Sequence, residues 1–276
     1  MIKASIVVPT TSIDRLRTLL LSLRNQSFKP WEIIIVAKNI NINFIEKICN
    51  NFALKCITLE QKEGYVTKAL NMGKNASSGD IIIFTDDDAI ALNGWIKRYV
   101  KFFNYYGKDV VCVSSRDIYI NLNNIRLLPT PDDVPIVKLY RIFLRPIFER
   151  PISILNKYWC GTYIDKRLYI RFGPCIPNKE CYSLPFRGVN MAFRGDIIDE
   201  FKFPEHPLLK RGIGYEQYIG LQLVLKGWDC IYTPNNPILH MYRKESLSRT
   251  RSVKEIDYEY EIMRSLFRQL LSQRSY

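Results

Sequence analysis

The sequence predicts an α/β fold: a mixed, Rossmann-like sheet flanked by helices, forming one domain with a C-terminal helical extension. Three observations carry this. Short apolar runs alternate with stretches whose apolar residues recur at helical spacing. Proline and glycine punctuate the boundaries between them. The chain has 276 residues, 47% of them hydrophobic and 24% charged, enough to bury a sizeable core and unlike a disordered or collagen-like chain. Strands that alternate with helices favour a parallel sheet covered on both faces, with right-handed crossovers.

Each element follows in order. Residues 5–9 (SIVVP) are an apolar run stopped by Pro9 and read as a buried strand, with turn or cap residues at 10–12. Leu16, Leu19, Leu20 and Leu23 repeat at helical spacing. Residues 31–36 (WEIIIV) are the second strand, and Phe44, Ile45, Ile48 and Phe52 mark the second helix. Residues 55–59 are a third strand, and residues 66–76 a third helix that Gly79 brings to an end. The fourth strand, Ile81–Phe84, runs into Thr85 and three consecutive aspartates, Asp86, Asp87 and Asp88. A helix is expected from Trp95 through Phe103 and a strand at 110–113.

The second half is less regular. Residues 121–135 are rich in Asn, Pro and Asp and read as loop. Residues 136–148 carry apolar side chains at 136, 139, 140, 143, 144, 147 and 148, with Lys138, Arg141 and Arg145 on the opposite face. Pro146 and Pro151 are expected to kink or end this element. Strands are expected at 189–193, 229–233 and 238–242, with a helix at 216–225 that stops at Gly227. Ile262, Met263, Leu266, Phe267, Leu270 and Leu271 form a last helical stripe, which fits packing on the body or a homodimer contact.

The net charge is +13, from 40 Lys and Arg against 27 Asp and Glu. Nucleic acid, an anionic membrane surface and a phosphate-rich small substrate all suit that excess. No nucleic-acid-binding motif accompanies it, so no nucleic-acid partner is expected. The seven cysteines are odd in number, irregularly spaced and without a CxxC pair, which argues against a zinc site or a complete disulfide framework. Cys56, Cys112 and Cys230 read as small core residues, and a Cys175–Cys181 bridge is conceivable. No apolar run reaches the length of a membrane span, and the first residues lack a signal peptide, so a cytoplasmic location is expected. The 136–148 stripe fits a helix lying peripherally on the inner face of an anionic membrane, and equally a core helix with solvated basic residues.

Ligands of open α/β sheets bind beyond the carboxyl ends of the strands, which selects Pro9, Thr10 and the aspartates as one candidate site. Three adjacent carboxylates there repel one another and need an offsetting cation. Hard oxygen ligands suit Mg²⁺ or Mn²⁺, ions that also bind substrate phosphates. In an extended segment alternate side chains share a face, so Asp86 and Asp88 point together and Asp87 points away. The bland alternative is a solvated acidic turn.

At this point the chain resembles the family 2 glycosyltransferases, which have the GT-A fold. The resemblance runs through SIVVPTT, LLLSLRNQSFKPWEIIIV, ALNMGKNASSGDIIIFTDDD, RGVNMAFRGDII and GIGYEQYIGLQLVLKGWDCIYTPNNPILH, in that order over most of the chain. It implies transfer of a sugar from a nucleotide-diphosphate donor to an acceptor hydroxyl, with inversion and a divalent metal. The acceptor would be a glycan, a lipid-linked sugar or a protein. Asp86, Asp87 and Asp88 match the family's DxD motif, with Asp88 on the metal and Asp86 on the ribose or a metal-bound water. Pro9 and Thr10 match the loop lining the nucleotide pocket, and Lys68 and Asn71 a helix facing the nucleotide. Residues 188–193 match the strand beneath the acceptor, and His240 a histidine that completes the metal site. Imidazole suits Mn²⁺ better than Mg²⁺. Arg243, Lys244, Arg249 and Arg251 would form a basic loop over the diphosphate, or a solvated surface segment. By this division residues 1–115 are the nucleotide-sugar half, 116–242 the acceptor half, and 243–276 a basic loop and C-terminal helix.

Inversion needs a general base. The family places acids, often Glu-Asp, at the start of the helix after the acceptor loop. Here that pair is Glu216 and Gln217, so Glu216 is the candidate base, with Asp165, Glu180 and Glu205 as weaker ones. A second departure follows the second strand, where Ala37, Lys38 and Asn39 replace the aspartates that hold the nucleobase. Asn39 alone offers a hydrogen bond to a base edge. A nucleotidyltransferase on a similar sheet and a glycosyltransferase-like module without turnover are the alternative readings.

Overall fold

The structure, a computed structural model, describes residues 2–243 and 252–273. The chain begins with β1 (Ala4–Thr10), α1 (Ile13–Arg24), β2 (Glu32–Ala37), α2 (Ile42–Asn51), β3 (Cys56–Glu60), α3 (Val66–Asn75) and β4 (Ile81–Phe84). There follow β5 (Ala89–Ile90), α4 (Trp95–Tyr105), β6 (Val110–Asn121) and β7 (Arg126–Leu128). Then come α5 (Pro135–Phe143), α6 (Arg145–Phe148), β8 (Thr162–Ile164), β9 (Ile170–Phe172) and β10 (Cys181–Tyr182). Last are β11 (Met191–Arg194), α7 (Gly195–Ile198), α8 (Tyr215–Leu225), β12 (Asp229–Met241) and α9 (Val253–Ser272).

The main sheet has the order β10-β12-β6-β11-β4-β1-β2-β3. β1, β2, β3 and β4 are mutually parallel, whereas β11 runs antiparallel between β4 and β6. Side chains of β1, β2 and β4 alternate between two cores, as the period of a strand requires. Val7, Ile34, Val36, Ile82 and Phe84 pack on the face covered by α3, α8 and α9. Ile6, Val8, Ile33, Ile35 and Ile83 pack on the face covered by α1, α2 and α4. β1, β2 and β4 therefore lack an exposed face, which explains their apolar character, whereas β3 at the sheet edge is partly exposed. Gly73 sits where α3 crosses β1 so closely that a Cβ there would lie 2.3 Å from Val7 Cγ1.

Several expectations need correction. β6 continues well past residue 113, because residues 114–120 pair with β12. The two strands expected at 229–233 and 238–242 are one strand with a register shift between Thr233 and Ile238. The loop at 121–135 holds β7, which folds back on β6, and a 3₁₀ turn at Pro131–Asp133. The element at 136–148 is two helices, with Pro146 in the first turn of the second. The core-helix reading with solvated basic residues fails: the apolar side chains face outward, and Arg141 is buried. The cysteines pair as Cys49–Cys56 and Cys160–Cys175, not Cys175–Cys181. Irregular spacing hid both pairs, since each joins segments that the fold brings side by side. Cys112 and Cys230 are buried and unpaired, as expected.

The C-terminal stripe packs on the body: Met263 and Phe267 of α9 are buried in the same core as α8. No described helix is long and apolar enough to cross a membrane.

Overpacking a tight helix–strand crossing costs roughly 1–3 kcal/mol. Gly73→Ala is therefore expected to lower the thermal unfolding midpoint by several degrees, measured by calorimetry, although alanine is the better helix former.

Candidate active site

The carboxyl ends of β1 and β4, the end of β12 and the start of α8 surround one cleft of about 760 Å³. Pro9, Thr10, Lys38, Asp86, Asp87, Asp88, Glu216 and His240 all line it. Buried strands deliver the aspartates to this end of the sheet, and the short pairing of β5 with β12 sets His240 opposite Ala89.

The three aspartates part as the strand period requires. Asp87 turns toward β1. It accepts hydrogen bonds from Thr10 Oγ1 (2.8 Å), the Thr11 amide (3.3 Å) and Arg15 Nε (2.8 Å). Asp86 and Asp88 turn the other way, and with His240 they offer ligand atoms within 4.8 Å of one another. His240 Nε2 lies 3.2 Å from Asp88 Oδ1, and its Nδ1 lies 3.0 Å from Asp117 Oδ2. Arg243 binds the other Asp88 oxygen through Nε (2.9 Å) and a terminal nitrogen.

Electrostatics sets these groups apart. Burial raises the Asp86 carboxyl to about 7, helped by the charges of Asp88, Asp87 and Glu216 and opposed by His240. Burial also works against the Asp88 carboxylate, but hydrogen bonds and charge from His240 and Arg243 hold it down to about 2. For His240, burial disfavours the imidazolium, yet Asp117 and Asp88 lift it to about 10. Asp117 is itself buried and held by Arg187 Nη1 at 3.2 Å. A carboxylate behind an imidazole fixes which ring nitrogen faces the site.

This donor set fits a divalent cation. Two carboxylates and one imidazole converge within 4.8 Å, and burial together with repulsion from Asp88 pushes the Asp86 carboxyl to about 7, a repulsion that a bound cation would relieve. Oxygen with nitrogen suits Mn²⁺ better than Mg²⁺.

Glu216, at the first turn of α8, accepts a hydrogen bond from the Gly188 amide at 3.0 Å and lies close enough to Asp86 to act on its charge. Gly188 is required there, because a Cβ would overlap Tyr215 Oη at 1.6 Å. Gln217 also lines the cleft, but it is buried and donates to the Pro185 carbonyl at 2.6 Å, so its amide anchors the start of α8.

The structure separates other expected residues from the cleft. Lys68 pairs with Glu63 at 2.6 Å. Asn71 is buried, donates to the Phe203 carbonyl (3.0 Å) and Glu205 (2.8 Å), and accepts from the Phe203 amide. Neither lines the cleft. Their helix turns that side toward the 203–205 segment. Asn39 is exposed in the left-handed region (φ 59°) and is also outside the cleft, while the adjacent Lys38 lines it. Asp165 is fixed by the Arg167 and Tyr169 amides and Arg171, and Glu205 by Asn71; these two and Glu180 lie outside the cleft. Lys244, Arg249 and Arg251 lie outside the described residues.

Arg15, Asp117 and Arg187 join the site without having been expected. Arg15 carries a weak signal, a cation in the first turn of α1, where the helix dipole favours anions. Asp117 is an acidic residue within a strand, a placement that needs a buried partner.

A glycosyl transferase family 2 model matches residues 5–173. The chain belongs to that family. An uncharacterized glycosyltransferase of Bacillus subtilis (strain 168), YwdF, is 35% identical over 101 residues, 36% of this chain and 37% of that protein. The crystal structure of GalNAc-T7 with UDP, GalNAc and Mn²⁺ superposes with a TM-score of 0.66 at 15% identity, over 89% of this chain and 45% of that one. That of Staphylococcus aureus TarS residues 1–349 with UDP-GlcNAc gives 0.61 at 18% identity, over 96% and 66%. The fold is therefore that of the GT-A glycosyltransferases. The chain spans less than two thirds of the length of each of these three proteins.

The His240 geometry makes a pH prediction. An imidazole at about 6.5 when unfolded and about 10 when folded stabilises fully below the lower value, and that stability is lost as pH rises through the upper one. In chelator, His240→Gln should lower the unfolding midpoint most near pH 6, with the gap from wild type narrowing toward pH 10. A gap independent of pH would contradict the ion-pair account.

Proposed function

We propose that the cleft transfers a sugar from a nucleotide-diphosphate sugar to an acceptor hydroxyl, with inversion, and that Asp86, Asp88 and His240 hold a divalent cation, Mn²⁺ or Mg²⁺. The observation that carries the reading is the convergence of those three side chains at the carboxyl ends of the parallel strands, in a cleft shared with Glu216. Residues 1–115 would supply the donor half and residues 116–242 the acceptor half. The family of the chain and the nucleotide-sugar ligands of its structural neighbours support this reading.

Each residue has a task in that scheme. Thr10 and Arg15 fix Asp87, which keeps the floor of the donor side rigid. Lys38, whose ammonium bonds the Gly64 carbonyl at 2.6 Å, brings positive charge to the same wall. Asp117 orients His240, and Arg187 holds Asp117. When bound, the cation offsets the charge that develops on the departing diphosphate. Glu216 accepts the acceptor's hydroxyl proton as the oxygen attacks the anomeric carbon and the bond to the diphosphate breaks. The Gly188 amide holds the Glu216 carboxylate in place beforehand.

Ligands that bind only the native state raise its melting temperature. A panel of UDP-, GDP- and dTDP-sugars with Mn²⁺, Mg²⁺ or chelator should show a metal-dependent shift with one nucleotide class, lost in Asp88→Ala. Glu216→Gln should keep that shift while release of the nucleoside diphosphate falls by about 10²-fold or more, the usual range for a general base. No shift with any donor would refute the donor reading. Full turnover by Glu216→Gln would move the base elsewhere.

A further inference from the structure

An amphipathic helix ordinarily buries its apolar stripe. α5 and α6 do the reverse. Ile136, Phe143, Ile147 and Phe148 are 69%, 65%, 63% and 70% exposed, whereas Arg141 is 4% exposed. Polar contacts fix this orientation. Arg141 pairs with the buried Asp132 at 2.5 Å, donates to the Ile176 carbonyl and lies over the Phe172 ring. Arg145 pairs with Glu149 at 2.6 Å and donates to the Phe172 carbonyl. Asp132 also accepts from Arg187, a residue of the cleft wall, at 2.5 Å. The cationic side of the helix thus anchors it to the body, and the apolar side is presented outward next to the cleft. So large a contiguous apolar face marks an interaction site.

The surrounding charge identifies the partner. Residues 122–172 contain nine Lys and Arg against four Asp and Glu. All four acids, Asp132, Asp133, Glu149 and Asp165, are held in ion pairs with arginines inside the protein. Arg150, Lys166 and Arg167 are exposed just beyond α6, with the Lys166 amide donating to the Arg150 carbonyl at 3.1 Å. A twofold contact between copies would set this basic rim against itself. An acidic lipid surface meets both its apolar and its cationic parts.

We propose that α5 and α6 dock this chain on an anionic lipid surface, with the apolar face at the headgroup boundary and Arg150, Lys166 and Arg167 on the lipid phosphates. The inference goes beyond the sugar-transfer reading and does not depend on it.

Sedimentation of the full chain with vesicles tests it. Wild type should bind phosphatidylcholine vesicles that contain phosphatidylglycerol, and pure phosphatidylcholine vesicles at least tenfold more weakly. Phe143→Asp/Phe148→Asp and, separately, Arg150→Glu/Lys166→Glu should each weaken binding by about tenfold or more, since each basic residue near such a surface is worth roughly fivefold in binding and buried apolar rings contribute comparably. Circular dichroism and the melting midpoint should match wild type, because all four side chains are exposed. Absence of binding to the anionic vesicles at low salt would overturn the proposal, as would undiminished binding by both variants. A wild-type dimer that Phe143→Asp/Phe148→Asp turns into a monomer would assign the face to a second copy and likewise overturn it.

Discussion

Three carboxylates in a row at the end of a buried strand repel one another, and much of the cleft is arranged around that repulsion. Each is treated differently. Asp87 receives Thr10, Thr11 and Arg15 on the β1 side. Asp88 receives His240 and Arg243. At Asp86, burial and the neighbouring carboxylates outweigh the pull of His240, and its carboxyl rises to about 7. Ligand atoms of Asp86, Asp88 and His240 already converge there, and a divalent ion held by them would supply positive charge.

The fold serves that arrangement from both directions along the sheet. Parallel β1 and β4 bring Thr10 and the aspartates to one end. The long pairing of β12 with β6 carries His240 and Asp117 to the same end, with Ile238 paired to Asp117 and His240 to Tyr119. Arg187 precedes the 3₁₀ turn that leads into β11, between β4 and β6, so it reaches both Asp117 and Asp132. One continuous chain of alternating charge therefore runs from Asp88 through His240, Asp117, Arg187 and Asp132 to Arg141 on α5. The helix that carries the outward apolar face is fixed to the wall of the cleft.

The parallel half of the fold is legible because its signals are local. A strand buried on both faces reads as a continuous apolar run, and the strand period alone separates Asp87 from Asp86 and Asp88. His240 is legible because it closes an apolar run, as the aspartates do. Asp117, Arg187 and Arg15 are not, because their partners lie 123, 70 and 72 residues away in the chain. Asn71 and Lys68 sit on the expected helix, but periodicity gives no measure of which side meets the cleft. The same limit applies to α5. The pattern gives two faces, and only the Arg141–Asp132 contact decides that the basic one turns inward. The cysteine pairs depend on tertiary proximity in the same way.

The most direct test of the cation site is its position. Crystals grown with Mn²⁺ and a nucleoside diphosphate, with data collected at the manganese absorption edge, locate the ion without reference to turnover. The account predicts an anomalous peak coordinated by Asp86, Asp88 and His240, with Arg243 displaced from Asp88. A peak elsewhere, or none at saturating Mn²⁺ with Arg243 still on Asp88, would contradict it.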